Sequence, residues 1–151
     1  MTNEQTSDLS LIIRRTIAAT AERLFDAWTK PELLTQWWGP EQVECPTAEV
    51  DLQIGGQYRI ANQLPNGNII WISGEFEQIE RPNKLVYSWF VDANPAAPER
   101  VSVQFKPQDN GTEVIVVHQR IANKETQDKH RIGWQGCLTG LNEFSGSDHT
   151  R

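Results

Sequence analysis

"TQDKHRIGWQGCLTGLNEF", residues 126–144, is the stretch on which the fold turns. At about 100° per residue, with Gly133 at zero, Trp134, Cys137, Leu138, Leu141 and Phe144 fall between roughly 20° and 140°. One broad apolar face results, so the spacing predicts a long helix buried along one side. His130 falls at about 60°, in the middle of that face rather than on the polar side. Gly133, Gly136 and Gly140 run along its flank. Each costs about 1 kcal/mol against alanine in a helix interior. Their clustering predicts either close approach of another backbone or open space beside the helix.

A helix with such a face needs something to cover, and the preceding chain supplies strands. "LSLIIRRTI" (9–17) is rich in β-branched residues and bounded by polar ones, which predicts a first strand. In the next segment Thr20 suits an N-cap, with Glu22 in the first turn, where negative charge favours the helix dipole. Ala21, Leu24, Phe25 and Trp28 share one arc of a short amphipathic helix. Pro31 opens a second short helix that Gly39-Pro40 closes. From Val43 the pattern changes. "VECPTAEVDL", "QYRIAN", "NIIWISGEFEQI", "KLVYSWFV", "RVSVQFKP" and "TEVIVVHQR" read as strands. Gly55-Gly56, Asn66-Gly67, Pro82-Asn83 and Asp109-Asn110-Gly111 mark turns between them, while "DANPAAPE" reads as an exposed loop. Hairpin succession makes the sheet antiparallel. The sum is an α+β fold: an antiparallel sheet of about six or seven strands against one long C-terminal helix, with two short helices after the first strand. A curved sheet around one helix readily leaves a cavity between the two.

Bulk properties narrow the function. The chain has 151 residues, enough for one domain with a substantial core, here placed at 9–144 with flexible tails at 1–8 and 145–151. Net charge is −6 and there is no Lys/Arg run, which argues against nucleic acid as a partner. The apolar runs are too short for a membrane span, and the polar N-terminus lacks the features of a signal peptide. Two widely separated cysteines, Cys45 and Cys137, read as reduced thiols in a cytoplasmic protein. No P-loop, dinucleotide fingerprint, G-x-S-x-G or H-E-x-x-H motif occurs, so no catalytic residue and no enzyme class is assigned. Glu49, Asp51, Glu75 and Glu77 read as a solvated face.

Four stretches, in this order, resemble a known family: "FDAWTKPELLTQWWGP" (25–40), "VDLQIGGQYRI" (50–60), "GEFEQIERPNKLVYSW" (74–89) and "GWQGCLTGLNEF" (133–144). The order of elements resembles the helix-grip fold of START lipid-transfer domains and the birch pollen allergens. More narrowly, the chain is similar to the branch named for the homologue of the activator of the heat-shock protein 90 ATPase. That resemblance implies a hydrophobic cavity between sheet and C-terminal helix, open near the two short helices. It implies no cofactor and no universal catalytic residue. The family includes ligand carriers, cyclases, resistance proteins and co-chaperone domains, so it does not by itself choose a function.

Seven residues are candidates for the cavity wall. Trp37 and Trp38 end the second short helix, where adjacent side chains diverge by about 100°. One is expected to face fully inward and close the core, leaving the other for a ligand. Tyr87 and Trp89 share a strand face with Leu85, and a buried Tyr87 hydroxyl needs a partner. His118 lies on the face of Val114 and Val116, and His130 and Trp134 lie on the inner side of the long helix. A buried neutral histidine usually satisfies a carbonyl or a water. Two that line a cavity offer polar anchors for a ligand, or a general acid and base. With no carboxylate evident beside them, they make no metal site. A nucleophilic Cys137 would need His118 as its partner. The expected partner is a small hydrophobic or aromatic molecule, bound by a monomer or weak dimer. A chaperone is the second partner class, and a cofactor-free cyclase or hydrolase acting through the histidines is the third reading.

Overall fold

The computed structural model describes residues 8–39, 42–92 and 98–146. Its elements are β1 (Leu9–Ile17), α1 (Ala21–Thr29), α2 (Pro31–Trp37), β2 (Ala48–Val50), β3 (Gln57–Gln63), β4 (Ile69–Glu80), β5 (Lys84–Val91), β6 (Glu99–Gln108), β7 (Gly111–Ile121) and α3 (Lys124–Leu141). A π-helical turn, Asn142–Gly146, continues α3, and Ser145 within it is fully buried. The seven strands form one antiparallel sheet in the order β1-β7-β6-β5-β4-β3-β2. The first strand thus closes against the last, and α3 lies in the concavity. This is the expected helix-grip arrangement.

Local chemistry accounts for the boundaries. The Thr20 hydroxyl accepts a hydrogen bond from the Arg23 N–H at 3.1 Å and caps α1. Ala21, Leu24, Phe25 and Trp28 are all buried. The long helix starts at Lys124, two residues earlier than its apolar spacing indicates, because the Asn123 side chain accepts from Thr126 N–H at 2.9 Å. The segment 43–52 shortens to the three residues of β2; before it, only Glu44 bridges to Gln63. Pro46 has no N–H to give a ladder there. The turn residue Pro40 and the loop residues 93–97, read as exposed, lie outside the described residues.

The core sits between the concave sheet face and the three helices. Val101, Val103 and Phe105 of β6 and Val114, Val116 and His118 of β7 alternate inward and are fully buried. Both readings of the helix glycines hold, at different positions. A Cβ on Gly140 would stand 2.6 Å from the Trp37 carbonyl oxygen, so α2 and α3 touch backbone to backbone there. A Cβ on Gly133 would meet nothing within 4 Å. The helix is clamped at one glycine and bordered by space at the other.

Candidate functional site

That space is a cavity of about 220 Å³ between α3 and β3–β5. Trp38, Trp89 and Trp134 give it aromatic lining, Ile70, Ile72 and Val91 aliphatic lining, and Asn62, Lys129 and His130 are its polar members. Gly133 borders it, and a side chain there would occupy it.

The two adjacent tryptophans divide their work, but not as helical geometry requires. Both are buried, each only 4% exposed. The reason is that α2 ends at Trp37; Trp38 follows it with extended torsions, φ −69° and ψ 138°, so the helical angular step does not relate them. Trp37 Nε1 donates to the Ala27 carbonyl at 2.8 Å, and its ring lies 5.1 Å from that of Trp28, closing the helix pair. Trp38 Nε1 donates to Asn62 Oδ1 at 2.9 Å, and its ring faces the cavity. Asn62, buried in β3, returns its amide to the Ile60 and Ile70 carbonyls and is fully satisfied.

Of the seven candidates, Trp38, Trp89, His130 and Trp134 meet at the cavity, whereas Trp37, Tyr87 and His118 stand outside its lining. Tyr87 does share the inner face with Leu85 and Trp89. Its hydroxyl accepts from Trp28 Nε1 at 3.1 Å, and its ring packs against Tyr58 and Phe76, which do not line the cavity either. Burial pushes this hydroxyl's pKa well up.

His118 is fully buried behind His130, their rings stacked with centroids 4.2 Å apart and 19° from parallel. Bridging their Nε2 atoms is a carboxylate that the sequence places in the loop 92–99. Glu99 Oε1 lies 2.7 Å from His118 Nε2 and 2.8 Å from His130 Nε2. Glu99 begins β6, and the period of two that buries Val101, Val103 and Phe105 puts it on the same inward face. That alternation was the signal available for finding it. Burial pushes the Glu99 carboxyl up, but hydrogen bonds from the two histidines outweigh this and hold it down at about 2. Glu99 is therefore ionised and accepts, so both Nε2 atoms carry hydrogen.

The other nitrogen of His118 fixes the rest. Trp134 Nε1, a donor only, lies 3.0 Å from His118 Nδ1, which must then be an acceptor. His118 is thus neutral with its hydrogen on Nε2, and burial lowers its pKa. The same bond decides the metal question. The carboxylate and the two imidazoles offer ligand atoms within 4.8 Å of one another. The premise that no carboxylate stands nearby is therefore corrected. Coordination through His118 Nε2 would, however, move its hydrogen to Nδ1, facing the Trp134 N–H donor to donor. The donor set fits a hydrogen-bonded carboxylate–imidazole cluster and does not fit a metal ion.

Trp89 lies edge-on to both imidazoles, 5.0 Å from His118 and 5.9 Å from His130, and its Nε1 is buried without a hydrogen-bond partner. Cys137 also borders the cavity, but burial pushes its thiol up to about 12, so it carries no thiolate at neutral pH. His118 cannot activate it, since both imidazole nitrogens are engaged by Glu99 and Trp134. Cys45 is likewise buried and free. The acidic residues Glu49, Asp51, Glu75 and Glu77 are exposed as read, with Arg59 and Arg100 pairing to Glu49 and Glu77.

Comparison with known proteins agrees with the architecture. The sequence profile described as Activator of Hsp90 ATPase homolog 1-like protein matches residues 18–146. Among solved structures, the AHSA1 protein SPO3351 of Silicibacter pomeroyi superposes with a TM-score of 0.83 at 23% identity, over 93% of this chain and 100% of that one. Protein CV1439 of Chromobacterium violaceum gives 0.81 at 20%, over 91% and 98%. Protein NE0264 of Nitrosomonas europaea gives 0.80 at 23%, over 98% and 99%. At such identities these likenesses establish the fold. No curated protein matches the chain by sequence.

Proposed function

The chain belongs to the Activator of Hsp90 ATPase homolog 1-like family, and on that footing we propose that it binds a small, mainly apolar molecule in the cavity between α3 and the sheet. The observation that carries this reading is the cavity itself: about 220 Å³ walled by Trp38, Trp89 and Trp134, with Gly133 leaving its helix side open. Aromatic and aliphatic walls with a few convergent polar groups are the usual makeup of ligand sites. Volume sets the ligand class. An apolar cavity of about 150 Å³ is enough for benzene, and drug-sized ligands need about 300 Å³ or more. The fitting ligand has one or two rings or a short acyl chain; sterols and whole lipids exceed the space. The wall residues Trp38, Trp89, His130 and Trp134 are the contacts, with Trp37, Tyr87 and His118 supporting them from behind.

The test is tryptophan fluorescence and thermal unfolding with nitrobenzene, naphthalene and indole. Saturation at 100 times Kd stabilises the fold by about 2.7 kcal/mol. Gly133→Leu, which fills the space from the helix side, abolishes the response while far-ultraviolet circular dichroism stays unchanged. No response to any of these probes in the native protein contradicts the reading. A chaperone-binding role rests on the family description alone. The exposed large apolar residues are scattered, with Ile12 on β1, Ile54 in the connection between β2 and β3, and Ile132 on α3.

A further inference from the structure

We infer that His130 Nδ1 is a proton acceptor built into the cavity wall, and that the preferred ligand bears an acidic hydroxyl, a phenol or enol, which the site binds as the anion. The inference deepens the cavity reading and rests on it. His130 Nε2 donates to Glu99, so in the neutral ring Nδ1 carries the lone pair. His130 lines the cavity, and its Nδ1 has no hydrogen-bond partner among the described residues. A base whose far nitrogen is held by an ionised carboxylate is the arrangement that fixes tautomer and orientation and stabilises the imidazolium once formed.

Proton transfer balances within the site. The ligand O–H bond breaks, its proton goes to Nδ1, and the electron pair stays on the ligand oxygen. His130 becomes an imidazolium that still donates Nε2–H to Glu99, and the net charge of the site is unchanged. Every ionisable neighbour permits this. Glu99 from β6 is already ionised, and His118 from β7, stacked beneath, is kept neutral by Trp134. Lys129 on the cavity rim adds a positive charge toward a bound anion, and Cys137 stays a thiol. Among the described residues the Glu99 carboxylate bonds only to the two imidazoles, so Glu99 is a positioning residue.

The experiment uses 4-nitrophenol, whose anion absorbs at longer wavelength than the neutral form, and nitrobenzene, a similar shape without the hydroxyl. The native protein is expected to bind 4-nitrophenol as the anion at a pH where the free phenol is mostly neutral. His130→Phe keeps the stacked ring, and there the affinity for 4-nitrophenol relative to that for nitrobenzene, both measured on the variant, falls about tenfold or more. Glu99→Gln moves the pH profile of bound anion upward with nitrobenzene affinity kept. If the native protein binds 4-nitrophenol in its neutral form, or His130→Phe binds it equally well, the inference is overturned and the cavity reading stands. If nitrobenzene does not bind the native protein either, the cavity reading fails and this inference with it. The spectrum of the bound phenol in the native protein decides the matter even where a variant misfolds.

Discussion

Trp134 Nε1 donates to His118 Nδ1 at 3.0 Å, and this one bond between helix and sheet keeps a fully buried imidazole neutral. Trp134→Phe keeps most of the ring packing and removes the donor. The lone pair on Nδ1 is then buried without a partner, which costs about 1–3 kcal/mol. Urea unfolding measures the loss, and NMR of the imidazole nitrogens shows Nε2 of His118 still carrying its hydrogen for Glu99 while Nδ1 becomes free to take one up.

Acid should destabilise the fold in two stages. His118 is neutral in the fold, its pKa lowered by burial, so as pH falls through about 6.5 the unfolded chain takes up a proton that the folded chain refuses. Stability then declines by up to about 1.4 kcal/mol per pH unit. Glu99 is held down at about 2 by its two histidine partners, which outweigh its burial. Its contribution is intact above the unfolded value of about 4.3 and is lost as pH falls toward 2, on the order of 3 kcal/mol. Urea midpoints from about pH 7 to about pH 3 follow both stages. A flat profile from about 6.5 to 4.5 contradicts the first, and Glu99→Gln removes the second.

Two glycines of one helix should answer alanine in opposite ways. Gly140→Ala forces a Cβ to within 2.6 Å of the Trp37 carbonyl oxygen, and relief requires the two helices to part. The expected cost is about 1–3 kcal/mol. Gly133→Ala meets no atom within 4 Å and gains about 1 kcal/mol of helix propensity. Thermal unfolding of the two variants gives the comparison directly.

Tyr87→Phe separates support from contact. Trp28 Nε1 loses its buried acceptor, and stability falls by about 1–3 kcal/mol. Affinity for nitrobenzene stays unchanged, because Tyr87 does not border the cavity.

Nearly all of the architecture was legible in the residues, since period and turn chemistry are local. The apolar stripe of α3, the Thr20 cap and the Asn66-Gly67 hairpin each carry their signal within a few positions. What failed did so where local rules stop. Trp38 escaped the helical angle because the helix ends one residue before it. Glu99 sits next to a Pro-rich loop and reads as surface, yet the strand alternation of β6 turns it inward to two histidines 19 and 31 residues away. Such convergence depends on the strand order, which no local window contains. The conclusion that the histidines lacked a carboxylate was an error of this kind.

The aromatic packing also has an optical consequence. Trp28, Trp37, Trp38, Trp89 and Trp134 form one connected chain of rings, each neighbour 5.1–6.4 Å from the next. Only Trp71 stands apart, under the Arg59 guanidinium at 4.0 Å. Excited states at such spacings are shared, so light absorbed by Trp28 in the core is felt at Trp38 beside the cavity. The near-ultraviolet spectrum of such a cluster is expected to be collective, as of an antenna. A molecule touching one indole changes the emission of five.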